Sequence, residues 1–191
     1  MKRFFYIFLG FVLAFSLGAN LSSDLRVAGD LTPVGKINVP MGEVNYFSIT
    51  GTPITINNQS DGDTALVKVN VVSQLDVENC TPYEFDNGGS NNGRLRYTGV
   101  TTKSFHCAIT ISMDGAGAST NVYVFAVAKN GTIDADCKIL QSIKAVGDIE
   151  STALHCMLTF ATNDYIELYV GNITDADDIT VTSINIFAMG M

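Results

Sequence analysis

The sequence has no tryptophan, only two histidines and four prolines in 191 residues, and it is short of positive charge. Eleven Lys and Arg stand against nineteen Asp and Glu, a formal net charge of −8, which excludes nucleic-acid binding through a broad basic face. Gly-x-Ser-x-Gly, His-Glu-x-x-His, Cys-x-x-Cys and phosphate-loop patterns are all missing. The usual hydrolase, zinc-protease, dithiol-redox and nucleotide sites therefore have no sequence support. What the chain has in quantity is apolar residues, 47% against 16% charged, and seventeen glycines among many Thr, Asn, Val and Ile. That mixture favours one domain of strands joined by turns, with a core of ordinary size.

Lys2 and Arg3 precede an apolar run from Phe4 to Leu17, followed by the small residues Gly18 and Ala19. The order is that of a secretory signal, and residues 1–20 are expected to be removed. The run is short of the roughly 20 residues that span a bilayer core, so contact with a membrane is expected only through this segment if it is retained. An apolar arm packed between subunits is the alternative. Residues 21–40, with Ser22, Ser23, Gly29, Pro33, Gly35 and Pro40, read as a stalk or linker. A domain over 41–191 follows. Export would put the four cysteines in an oxidising compartment.

Within the domain, strand-like runs recur at 44–50, 65–72, 94–97, 104–112, 121–129, 153–160, 165–170 and 179–188, separated by turn clusters such as Asn130-Gly131. Eight short strands predict an all-β sandwich. Ile139, Leu140, Ile143, Val146 and Ile149 fit a short helix as well as a strand. Alternation puts Phe105, Cys107, Ile109 and Ile111 on one face, with His106, Ala108 and Thr110 on the other. The same argument separates Leu154, Cys156, Leu158 and Phe160 from His155, Met157 and Thr159. In the last strand Ile179 and Val181 are out of phase with Ile184 and Ile186, which predicts a bulge near Thr182–Ser183.

The two His–Cys dipeptides are the nearest approach to a thiol nucleophile with its base. Neighbouring strand residues point to opposite faces, so neither His106-Cys107 nor His155-Cys156 forms that pair, and buried structural thiols are the expectation. Asp175, Asp177 and Asp178 offer oxygen ligands but lack the Gly and distal Glu of a calcium loop, so a solvated turn is expected there. Asn58, Asn79, Asn130 and Asn172 begin glycosylation sequons, which a chain rich in Asn and Thr also produces by chance.

The segments 93–99 (Gly-Arg-Leu-Arg-Tyr-Thr-Gly) and 102–109 (Thr-Lys-Ser-Phe-His-Cys-Ala-Ile) resemble a strand pair of tumour necrosis factor-like and complement globular-head jelly rolls. Val124 to Gly131 is similar to the hairpin of that family that ends in Lys-Asn-Gly, and Leu158 to Ile166 to its Gly-Asp-aromatic segment, with Asn163 in place of the glycine. The closing Val181–Phe187 run matches the final strand. In texture the chain is most similar to the small trimeric modules of bacteriophage and other viral structural proteins.

The resemblance implies a ten-stranded, homotrimeric jelly-roll sandwich without catalysis or cofactor. It would act as a fibre head, spike or decoration knob on a virion, touching other virion proteins or a host surface receptor. The alternative is a secreted or cell-surface recognition module of the complement globular-head type. Ligand recognition would fall to the loops 86–93, 113–119 and 171–178. The face with His106, Ala108, Ala153, His155 and Met157 would be the trimer interface, unless the loop 73–90 covers it. His106 and His155 then become weak candidates for a metal or anion site near the axis, with interface histidines bonded to neighbours as the stronger expectation. The resemblance also makes the strands of Cys107 and Cys156 neighbours, which allows a disulfide or two free buried thiols. By pattern Cys80 and Cys137 are more exposed, and no pairing is assigned to them.

Overall fold

A computed structural model describes residues 39–57, 59, 62–71, 74–75, 84–89, 93–144 and 146–191. Segment 1–20, nearly all of the linker, Cys80, Asn58 and Asn79 lie outside the described residues. Those residues form eleven strands: β1 (Met41–Ile54), β2 (Val67–Lys68), β3 (Gln74–Leu75), β4 (Phe85–Asp86), β5 (Arg94–Tyr97), β6 (Lys103–Gly115), β7 (Asn121–Lys129), β8 (Thr132–Ile143), β9 (Ile149–Phe160), β10 (Tyr165–Asn172) and β11 (Ile179–Gly190). There is no helix among them. One sheet has the order β3-β1-β11-β6-β9 and the other β4-β5-β10-β7-β8, with β2 added on β10. All strand pairs are antiparallel.

From β5 onward the chain changes sheet at almost every connection, and β7–β8 is the exception. That hairpin turns through Asn130 and Gly131, both at positive φ (53° and 76°), the conformation a two-residue hairpin loop requires. The segment left open between helix and strand resolves here: Ile139, Leu140 and Ile143 belong to β8, Val146 to the following turn and Ile149 to β9. Periodicity was ambiguous because β8 is an edge strand, where pleat alternation is only loosely imposed by burial. The run expected over 65–72 forms a ladder only at Val67–Lys68.

The core fills the space between the sheets. Phe105, Cys107, Ile109, Ile111 and Met113 of β6 face Leu95, Tyr97, Tyr123, Phe125, Val127 and Ile166 of the second sheet. At one end Phe85, Tyr97, Phe105 and Phe160 make a ring cluster, with Phe105 stacked on Phe160 at 4.9 Å between centroids. Full burial of each such side chain stabilises the fold by about 1.5–3 kcal/mol before entropy is counted. Gly99 lies against this cluster, where a Cβ would come 2.2 Å from the Tyr97 hydroxyl. The predicted bulge is present: the β11 register against β6 shifts between Val181 and Ser183, which lets Ile179, Val181, Ile184 and Ile186 all point inward.

Candidate functional face

The inner sides of both sheets are used by the core, so recognition chemistry must lie on outer faces, edges or loops. The second sheet's outer face is partly covered by its own side chains, with Leu140 of the edge strand β8, opposite Val124, left 62% exposed. Glu167 is buried there between Lys68 Nζ (2.5 Å) and Arg94 Nε (2.9 Å), and the Arg94 guanidinium sits 3.8 Å above the Tyr165 ring. Leu66 covers Val124 and Ala126 beside them.

The first sheet's outer face is different. Antiparallel register aligns its outward residues in rows across β1, β11, β6 and β9: Met41, Met189, His106, Met157; then Glu43, Phe187, Ala108, His155; then Asn45, Asn185, Thr110, Ala153. The five residues expected to share this face, His106, Ala108, Ala153, His155 and Met157, are brought together on it. Hydroxyl pairs border the three rows, Ser104 with Thr159 at 3.3 Å and Ser112 with Ser151 at 2.8 Å. Met41, Phe187, Met189 and Phe47 belong to the same face and were missed in the sequence. The phase of β11 held the signal, since Asn185, Phe187 and Met189 alternate with the buried Ile184, Ile186 and Ala188.

His106 and His155 are diagonal neighbours across β6 and β9, with Nε2 of the first 3.1 Å from Nδ1 of the second. Their rings are within 12° of parallel at 5.2 Å between centroids. Each histidine thus has the other as a hydrogen-bond partner.

Cys107 and Cys156 stand directly opposite in the β6–β9 ladder, as the resemblance implied, and the disulfide between them is not formed: Cys107, Cys137 and Cys156 are free thiols. Cys137 corrects another expectation, because it is buried rather than exposed. It reaches the core from β8 close to the Cys156 thiol, so Cys156 has a thiol neighbour across the sandwich as well as Cys107 along the ladder. Burial pushes the Cys107 thiol up to about 12 and the Cys156 thiol to about 11. Such thiols are protonated and poor nucleophiles at neutral pH.

The acidic turn is better ordered than a solvated one. Asp178 Oδ1 accepts the Ile56 amide at 2.7 Å, Asp177 Oδ2 accepts Asn121 Nδ2 at 3.0 Å, and Asp175 Oδ1 accepts Asn172 Nδ2 at 2.7 Å. Its carboxylates serve the loop, and among the described residues no three His, Cys, Asp or Glu side chains converge as a metal site. Of the sequons, Asn172 is fully buried, and the Asn130 side chain is held by Asp164 and the Tyr165 amide.

Two antiparallel sheets, cross-sheet connections and a closing strand inserted between the first and the middle of the chain define a jelly-roll sandwich. No sequence family and no curated protein matches the chain. Solved structures similar to it include murine APRIL, at 10% identity, TM-score 0.47, covering 80% of this chain and 99% of that one. Eiger TNF from S. frugiperda is similar at 10% identity and TM-score 0.47, covering 80% and 92%. The PRD1 vertex protein P5 is similar at 11% identity and TM-score 0.48, covering 80% and 96%.

Proposed function

We propose that the chain is a non-enzymatic homotrimeric surface module of a virion, a fibre head, spike or decoration knob that works by assembly and attachment. The observation that carries this reading is the asymmetry between the two outer faces. One carries the Lys68–Glu167–Arg94 ion pairs and the Leu66 cover over Val124 and Ala126, and leaves Leu140 as its one large exposed apolar side chain among the described residues. The other presents Met157, Ala108, Ala153, Phe187 and Met189 side by side, a patch of the kind that soluble proteins bury against a partner. The buried, protonated thiols and the placement of both histidines on the opposite side of the sheet support a role without catalysis. The loops 86–93, 113–119 and 171–178 are then the places for a host receptor or other virion proteins.

The signal-like N-terminus favours a second reading, a secreted or cell-surface ligand-binding module with the same trimer. Light scattering at micromolar concentration is expected to give three chains per particle, and Ala108→Glu, which puts a charge in the middle of the face, to give one. A wild-type monomer would remove the trimeric reading. Mass spectrometry of purified virions against culture supernatant separates the two locations.

A further inference from the structure

Both histidines of the chain and four of its six methionines gather at one end of this outer face, although nothing about a subunit contact calls for that combination. Met41 is opposite Met189, Met189 is opposite His106, and His106 is opposite Met157, so a single row crosses four strands with one imidazole flanked by two thioethers and a third methionine beyond Met189. Met191 follows at the end of β11, its amide bonded to the Ser104 carbonyl. Met157, Met189 and Met191 are 50%, 37% and 79% exposed, unlike Met113, which is buried in the core.

We propose that His106, His155 and the flanking methionines form a binding site for a soft late-transition-metal ion, copper(I) above all. The geometry rests first on the imidazole pair. A metal held by nitrogens at about 2.0–2.1 Å, with an angle between a right angle and the tetrahedral value, places the two nitrogens about 2.9–3.4 Å apart. His106 Nε2 and His155 Nδ1 are already 3.1 Å apart. The proton that joins them in the free protein moves to the far nitrogen of its own ring, and each ring turns by about 35–45° so that both lone pairs meet at one point. Binding changes no oxidation state and needs no further reactant.

The methionines decide the metal. Cross-strand neighbours have Cβ atoms about 4.5–5.5 Å apart, a distance a Met side chain can span, and Met157 and Met189 occupy the positions on either side of His106. Thioether sulfur favours copper(I), whereas zinc and nickel gain little from it. Hard ligands are absent from that row. The carboxylate of the adjacent row, Glu43, is engaged by Asn185 Nδ2 at 3.2 Å. All donors belong to one protomer, so the site does not depend on the trimer and would be compatible with it.

The test is titration of the metal-stripped full chain with copper(I) in competition with bicinchoninate, with Zn(II) as the harder probe. One copper(I) per chain is expected. His106→Gln and His155→Gln should each weaken it at least about tenfold. Met157→Leu combined with Met189→Leu should weaken copper(I) by a similar factor and leave Zn(II) within about twofold. The leucines are conservative, and circular dichroism checks that each variant is folded. Three results overturn the proposal: wild-type affinity no higher than that of the double His→Gln chain, copper(I) binding indifferent to the methionines, or one metal per three chains. Light scattering with and without copper keeps a failure of this site distinct from a failure of the trimer.

Discussion

Cys137 and Cys156 touch although they belong to different sheets, because β8 and β9 are the terminal strands of the two sheet orders and close the same side of the sandwich. Cys107, by contrast, shares a ladder with Cys156. In alkaline buffer, where a fraction of these thiols ionises, oxidised glutathione is therefore expected to join Cys137 to Cys156 first, the two thiols losing two hydrogens as the glutathione disulfide is reduced. Cross-strand bridges within a ladder are strained, whereas a clip between edges has room to adjust. Non-reducing peptide mapping decides, and a Cys107–Cys156 link would contradict the assignment.

Alkali should destabilise the fold before acid chemistry of the core matters. Burial raises Tyr123 from 10.0 to about 12, Cys107 from 9.0 to about 12 and Cys156 from 9.0 to about 11. Folded values above the unfolded ones mean that the neutral groups stabilise the fold fully below about pH 9 and lose that contribution as pH rises through 11 to 12. The melting temperature measured at pH 8, 9, 10 and 11 should fall along the series. Cys107→Ala should give a shallower slope, and an unchanged slope would assign the effect elsewhere.

The histidine pair offers a probe of the face. The two rings are joined through the 3.1 Å contact between His106 Nε2 and His155 Nδ1, which a Gln at either position removes. If the face is the subunit interface, His106→Gln and His155→Gln should each shift the trimer toward monomer in light scattering at a fixed concentration. Assembly unchanged in both variants would place the pair away from the interface.

Asn163 sits at φ 72°, where the similar family segment has glycine, and its amide donates to the Tyr97 carbonyl at 2.7 Å. Asn is among the residues that accept this conformation locally, so Asn163→Gly should change stability by less than about 1 kcal/mol. Asn163→Val, with a branched Cβ, should cost about 1–2 kcal/mol. Chemical denaturation of the two variants measures both.

Legibility followed burial. Arg94–Tyr97 and Asn121–Lys129 were readable to the residue because each lies inside a sheet, the first alternating about the core and the second a nearly continuous buried apolar run bounded by turn residues. The bulge in β11 was readable as a phase error between Val181 and Ile184 for the same reason. The strand β8 was not, and Cys137 was misplaced with it, because its apolar residues Ile133, Cys137, Ile139, Leu140 and Ile143 follow no steady period of two.

The sequence by itself determined the fold class and the division of His106, Ala108, His155 and Met157 from Cys107 and Cys156, because side-chain direction in a strand depends only on parity. Tertiary structure alone decided which parities meet. Register set Met189 beside His106 and His106 on the diagonal from His155, and sheet order brought Cys137 to Cys156 across the sandwich. Such pairings depend on contacts between residues far apart in the chain, and no local pattern encodes how two distant strands slide against each other until a shared core fixes them.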